Sequence, residues 1–171
     1  MDGLKLAYVV VFLLLTACGG GGGGGGSSSP PTNPPPGGGT VSLSGKIEKG
    51  PFVAGERVTV SSVSARGAIG VQLATTTTSN DLGTYSLSIN PSQTVLINGR
   101  GSFLDETDGT VSTDTLSLDA VVQVSSAASQ SANVNILTHL AAPRFLALLQ
   151  GGSSAASADT QSRDDLLAAI T

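Results

Sequence analysis

Few residues in this chain have the chemistry for catalysis or metal binding, and their spacing is informative. His139 is the only histidine and Cys18 the only cysteine among 171 residues. A zinc centre takes three or four ligands from His, Cys and carboxylates, so this inventory is thin for one. Serines are abundant enough for a Ser-His-Asp arrangement, but the Gly-x-Ser-x-Gly elbow that presents a nucleophilic serine does not occur. The expectation is a noncatalytic chain without a cofactor, with His139 in the first turn of a helix beside a β-domain.

Asp105-Glu106-Thr107-Asp108-Gly109, with Asp114 beyond, is the one acidic cluster in the β-rich part. Calcium favours several carboxylate oxygens on a flexible loop, which makes Asp105, Glu106 and Asp108 weak calcium candidates. The glycine comes one position too early for an EF-hand loop, so a solvated loop without metal is expected. Gly99-Arg100-Gly101 is not followed by Gly-Lys-Ser/Thr and reads as a turn, not a phosphate loop. Thr75 to Thr78 is either an edge strand open to a partner or a pleated face with polar side chains outward, and the second is expected.

The elements that position these residues begin with a leader. Lys5 precedes Leu6 to Leu15, an unbroken apolar run, and about 20 such residues are needed to span a bilayer. Residues 1–17 therefore read as a secretory signal, not a membrane span. Residues 18–40 are mostly Gly, Ser and Pro, with no apolar residue after Cys18 to seed a core, and read as a disordered tether. As a random coil it would hold a folded unit on the order of 25 Å from its attachment point.

From Val41 onward, short apolar alternations are separated by turn residues. Val41, Leu43 and Ile47 give a first strand ended by Lys49-Gly50-Pro51; Val58 and Val60 give a second, and Val71, Leu73 and Thr75 a third. Ser79 to Gly83 reads as a tight connection with Tyr85, Leu87 and Ile89 returning, followed by Val95 with Ile97 and by Leu116 with Leu118 and Ala120. Strands at this spacing predict an antiparallel sandwich over 41–125. Ser125 to Ser131 is a soft junction, and residues 133–171 are helical. Val134, Ile136, Leu137, Leu140, Ala141, Leu148 and Leu149 recur at helical spacing. Pro143 implies either a kinked helix from near Thr138 or a helix starting near Ala142, and Gly151-Gly152 a stop. The apolar face from Leu140 to Leu149 is expected to pack on the sandwich or on further chain. A second helix starts near Ser154 and runs into Leu166-Leu167-Ala168-Ala169-Ile170, which reads as a helix cut short by truncation or frameshift.

Charge narrows the partners. Eight Lys and Arg against twelve Asp and Glu, with a pI near 4.6, leave no basic stripe for phosphates, so nucleic acid is not expected as a partner. With no Trp and a single Tyr after Cys18, the stacking platforms of an ordinary lectin are also missing.

Two resemblances add to this reading. Leu15-Thr16-Ala17-Cys18 resembles the bacterial lipobox. That likeness implies that the Cys18 thiol carries a diacylglycerol, that cleavage makes Cys18 the first mature residue, and that membrane lipid is its partner. At about 0.8 kcal/mol per buried methylene, two or three acyl chains hold a protein effectively for good. Gly19, where aspartate would favour inner-membrane retention, points to the outer membrane in a diderm source. Ser44 to Val60 around Gly50-Pro51, then Thr75 to Leu87, resemble the carboxypeptidase regulatory-like, or transthyretin-like, sandwich, and Val134-Asn135-Ile136-Leu137-Thr138-His139-Leu140 is similar to the helix opening in envelope lipoproteins that carry it. The resemblance implies a mainly β fold, a seven-stranded antiparallel sandwich followed by a short helical region. It implies a noncatalytic structural or binding module of the cell envelope, with an envelope protein of unidentified kind as partner. The alternative is the membrane-proximal fragment of a larger adhesin or exported enzyme.

Overall fold

The computed structural model describes residues 39–171. The expected signal peptide, Cys18 and nearly all of the expected tether lie outside the described residues. Eight strands come first: β1 (Val41–Glu48), β2 (Arg57–Val63), β3 (Ile69–Thr77), β4 (Thr84–Ile89), β5 (Gln93–Gly101), β6 (Leu116–Val124), β7 (Ser129–Ser131) and β8 (Val134–Asn135). Helices α1 (Ile136–Gln150) and α2 (Ala155–Ile170) follow. The fold is thus mainly β with a helical C-terminal region.

The strands form two sheets, one ordered β4-β1-β7 with β8 also on β1, the other β3-β2-β5-β6. Alternation explains their packing, because successive side chains of a strand face opposite ways. Val41, Leu43, Ile47, Tyr85 and Ile89 of the first sheet meet Val58, Val60, Val95, Ile97, Leu118 and Ala120 of the second in one buried cluster. The sheets therefore lie face to face as a sandwich, with Phe52 fully buried among them. A second cluster of Val63, Phe145, Leu149 and Ala158, with Leu96 and Val121 against it, packs the helices on the second sheet.

Several expectations change. Tyr85 to Ile89 does not return beside β3 but crosses to the first sheet and pairs antiparallel with β1, Tyr85 opposite Gly45. There its ring enters the core and its hydroxyl donates to the Ala132 carbonyl. The junction at Ser125 to Ser131 holds β7, which pairs with β1 in parallel, as does β8; the described residues form eight strands, not all of them antiparallel. Serines and alanines serve here because a three-residue strand against β1 needs backbone hydrogen bonds more than side-chain volume.

Gly99-Arg100-Gly101 is strand, not turn. Gly99 pairs with both Val58 and Leu118, and a Cβ on it would lie 2.4 Å from the Ile47 side chain. The glycine is a close-packing device that lets the two sheets approach. Thr75 to Thr77 lies on an edge strand, since β3 has β2 on one side only. The same strand leaves Ile69 54%, Val71 72% and Leu73 39% exposed.

Helix α1 starts at Ile136, earlier than either reading of Pro143 suggests. Asn135 accepts from the Thr138 N–H at 3.0 Å while Thr138 Oγ1 accepts from the Asn135 N–H at 2.8 Å, a reciprocal box that fixes the first turn. Pro143 stays inside one continuous helix, which gives up a single hydrogen bond at that position. The buried face is Ala142, Phe145 and Leu149, whereas Leu137 and Leu140 are exposed, so the Leu140 to Leu149 run does not form one packed face. Gly151 caps the helix, its N–H reaching the Ala147 carbonyl at 3.0 Å. Ser154 caps α2. No helix of the described residues is long and apolar enough to cross a membrane.

Candidate functional site: a groove beside the last long strand

β6 is an edge strand with β5 on its inner side, and the edge is partly closed by side chains. Asp119 donates its N–H to His139 Nδ1 at 3.2 Å, and its carbonyl accepts from Thr138 Oγ1 at 3.2 Å. The first turn of α1 thus satisfies both outward backbone groups of Asp119. Four residues on, the Gln123 carbonyl accepts from Gln130 Nε2 at 3.0 Å, and Gln130 Oε1 accepts from the Ser125 N–H at 2.9 Å. Such covering is one way a fold handles an otherwise unpaired edge.

His139 therefore sits where the sequence puts it, in the opening of a helix beside the sandwich, and its role here is a clamp. Because Nδ1 accepts the Asp119 N–H, the neutral ring carries its proton on Nε2. A triad histidine needs the reverse tautomer, with Nδ1–H donating to the carboxylate and Nε2 free to take a proton. The Asp119 carboxylate is near, Oδ2 lying 3.6 Å from Nδ1, but its other oxygen accepts from Asn98 Nδ2 at 2.7 Å. Asn98 also donates to the Ser117 hydroxyl at 2.8 Å, so the nearby serine is directed to Asn98 and not to the histidine.

The acidic cluster is ordered by its own hydroxyls. Thr107 donates both its N–H and its Oγ1–H to Asp105 Oδ1, at 2.9 and 2.6 Å, and Thr110 does the same to Asp108 Oδ1 at 2.9 and 2.7 Å. These are Asx turns, the use short acidic side chains find in loops. The Thr107 hydroxyl, then its N–H, hold the Asp105 carboxyl below its ordinary value, with a smaller contribution from Lys49. The segment is pinned beneath by Leu104 N–H to the Pro51 carbonyl at 2.8 Å and by Phe103 near Phe52. Lys49 stands 4.7 Å over the Phe103 ring. No group of three or more His, Cys, Asp or Glu among the described residues is arranged to hold a metal ion, and the Glu106 carboxylate accepts none of the bonds that close either turn.

A concave feature lies at the β6 edge. A groove of about 470 Å³ is lined by Val121 and its neighbours on β6, by Ser131 of β7 and Asn133 after it, and by Leu137, Ala141 and Phe145 on α1. Leu166, Leu167 and the Arg163–Asp159 pair of α2 complete it. The lining surface is mostly apolar, as that of ligand sites generally is. An exposed pair, Arg144 Nε to Asp165 Oδ2 at 2.6 Å, joins the two helices.

Sequence reading missed Asp119, Asn98 and the groove. Asp119 has a local signal, a charge inside the apolar strand Leu116–Val124, and Asn135-x-x-Thr138 is readable as a cap. The groove has none, because its walls come from segments that only tertiary packing brings together. Comparison of the chain with protein-family models, with curated proteins and with solved structures finds no match.

Proposed function

We propose that the chain is a lipid-anchored protein of the bacterial cell envelope, in the outer membrane if the source is diderm. In this reading Cys18 is the acylated residue and the folded part is a noncatalytic binding module of transthyretin-like type. The observation that carries it is an order along the chain: a short apolar run, then Leu15-Thr16-Ala17-Cys18, then a Gly/Ser/Pro tract, and the first strand beginning at Val41. A hook, a slack line and a compact domain are what anchoring at a membrane surface requires, since acyl chains supply affinity and the tether supplies reach. The Gly50-Pro51 turn between β1 and β2 supports the transthyretin-like assignment. Binding is assigned to the groove beside β6, and the tautomer of His139 and the pairing of Asn98 with Ser117 favour a noncatalytic role.

The test is radiolabelled palmitate incorporation in a lipoprotein-processing host, comparing wild type with Cys18→Ser, followed by membrane fractionation. Label and membrane association should both disappear in the serine variant. Wild-type protein recovered unlabelled with a free thiol would refute the anchor. A second reading, the membrane-proximal part of a larger adhesin or exported enzyme, is favoured by the exposure of Leu140, Leu167 and Ile170, 53%, 55% and 59%, on the helices. An in-frame or frameshifted continuation in the gene would select it.

A further inference from the structure

Unpaired backbone groups at the groove limit what can fill it. Residues directly opposite each other in an antiparallel pair alternate between exchanging hydrogen bonds and pointing their N–H and C=O outward. Asn98 is opposite Asp119, Leu96 opposite Val121 and Thr94 opposite Gln123. Asp119 sends both its groups to α1, and the Gln123 carbonyl goes to Gln130. Both therefore belong to the outward-pointing class, and Val121, midway between them, must belong to it too. No hydrogen bond from the described residues reaches the Val121 N–H or C=O on that side, and Val121 lines the groove.

The opposite wall repeats the pattern. Ser42 donates to the Ala128 carbonyl at 3.0 Å and Ala132 donates to the Ser44 carbonyl at 2.8 Å, so the even-numbered residues of this segment face β1. Ser131 faces away from it and also lines the groove. One open strand edge from each sheet thus borders a single aliphatic space, walled by Leu137, Ala141, Phe145 and Leu167. A purely apolar ligand would leave the Val121 donor and acceptor unpaired in contact with it, which is costly. An amide with a donor and an acceptor at strand spacing would satisfy both.

We propose that the groove captures an extended peptide segment of a partner protein, about three residues long with an apolar central side chain, by strand addition to β6 at Val121. The central residue exchanges both hydrogen bonds with Val121, its N–H to the Val121 carbonyl and its carbonyl from the Val121 N–H. Its side chain lies against the aliphatic wall, and Ser131 offers backbone groups to the strand's other edge. This names the partner class for the binding module proposed above and rests on that reading, but it is measured without reference to lipidation.

The test uses the full chain, isotopically labelled, titrated with N-acetyl-Ala-Leu-Ala-N-methylamide and observed by amide NMR. Expected are a saturable downfield shift of the Val121 amide and binding about tenfold weaker for the analogue methylated on the leucine nitrogen, the loss of one well-made hydrogen bond. Ala141→Phe, which fills the groove, should abolish the shift while keeping the wild-type melting temperature. No saturable shift up to the solubility limit, or equal binding of the N-methylated analogue, would overturn strand addition. So would unchanged binding to folded Ala141→Phe, or sedimentation showing that a second copy already occupies the groove. Should Ala141→Phe fail to fold, the methylated analogue still decides the matter. Cys18→Ser should bind the peptide as wild type does, so failure of the anchor and failure of the groove are read separately.

Discussion

Gly45→Ala tests how tightly the segment leading into the helices is seated on β1. A Cβ at position 45 would lie 2.0 Å from the Ala132 carbonyl oxygen and 2.6 Å from its carbon. Both are backbone atoms, so no rotamer relieves the clash. Restoring an ordinary contact of 3.4 Å displaces the strand by 3.4 − 2.0, or 1.4 Å, well beyond what a hydrogen bond tolerates. Three of the bonds across this seam lie next to the clash: Ala132 N–H to the Ser44 carbonyl at 2.8 Å, Lys46 N–H to Asn133 Oδ1 at 3.0 Å, and the Tyr85 hydroxyl to the Ala132 carbonyl. At about 1 kcal/mol net each, the expected loss is about 2–4 kcal/mol. For a folded unit of this size that lowers Tm by about 10 °C. Gly39→Ala is the control, since nothing lies within 4 Å of its Cβ and only the unfolded chain feels the change. Thermal and urea unfolding followed by circular dichroism measure both variants. A Gly45→Ala melting temperature within about 1 °C of wild type would refute close seating of β7 and β8.

Burial pushes the Tyr85 phenol well above its ordinary value, so the folded state retains its proton at pH values where the unfolded chain releases it. Stability from this group is complete below about pH 10 and falls by about 1.4 kcal/mol per pH unit above it, and Tyr85→Phe should remove that slope in urea titrations across pH 9 to 12 while costing about 1–3 kcal/mol at neutral pH. Asn135→Ala removes the acceptor of the α1 capping box and should cost about 1 kcal/mol in urea unfolding, with the loss of hydrogen-exchange protection concentrated in the first turn of α1. Asp105, held below its ordinary value by Thr107, contributes loop order that is full above the unfolded-state carboxylate range and is lost as pH falls through the lowered folded value. Exchange of the Thr107 amide should therefore rise over neighbouring amides only in strong acid, and Thr107→Val should move that rise to higher pH. A calcium titration read by thermal melting checks the weak candidates Asp105, Glu106 and Asp108: an unchanged Tm is expected, because Asp105 and Asp108 each already accept two hydrogen bonds on one oxygen.

The strands were legible in the sequence wherever alternation meets a two-faced environment. Val41, Leu43 and Ile47 announce β1, and Leu118 and Ala120 announce β6, because each has one face in the common core. Pairing partners were not legible. The short link from Ser79 to Gly83 reads as a hairpin, but Tyr85 must bury its ring and find an acceptor for its hydroxyl, and both lie in the other sheet. Strand β7 was hidden for a different reason: Ser129 to Ser131 has no apolar alternation, and its place is set by backbone bonds to β1. In α1, leucines at helical spacing drew attention to Leu137 and Leu140, while Ala142, Phe145 and Leu149 are the residues that face the sheet. Periodicity finds an apolar stripe, but where two stripes compete, the surface opposite chooses between them.

The two outer edges of the second sheet are treated differently, and this difference organises the molecule. At β3 the edge carries no charge, and it leaves Ile69 and Val71 in solvent; irregular register against β2, between Val60 and Ser61 and again before Val63, is the distortion that discourages a flat partner there. At β6 the protection is built from side chains instead, with Thr138 and His139 on one flank and Gln130 on the other. A bulged edge is unselective, since it repels any strand by shape. A capped edge is selective, since the caps end at defined residues and leave one position open between them. His139 acquires its meaning from this arrangement: occupying the backbone of Asp119 seats the first turn of α1 and so sets one end of the gap that opens at Val121.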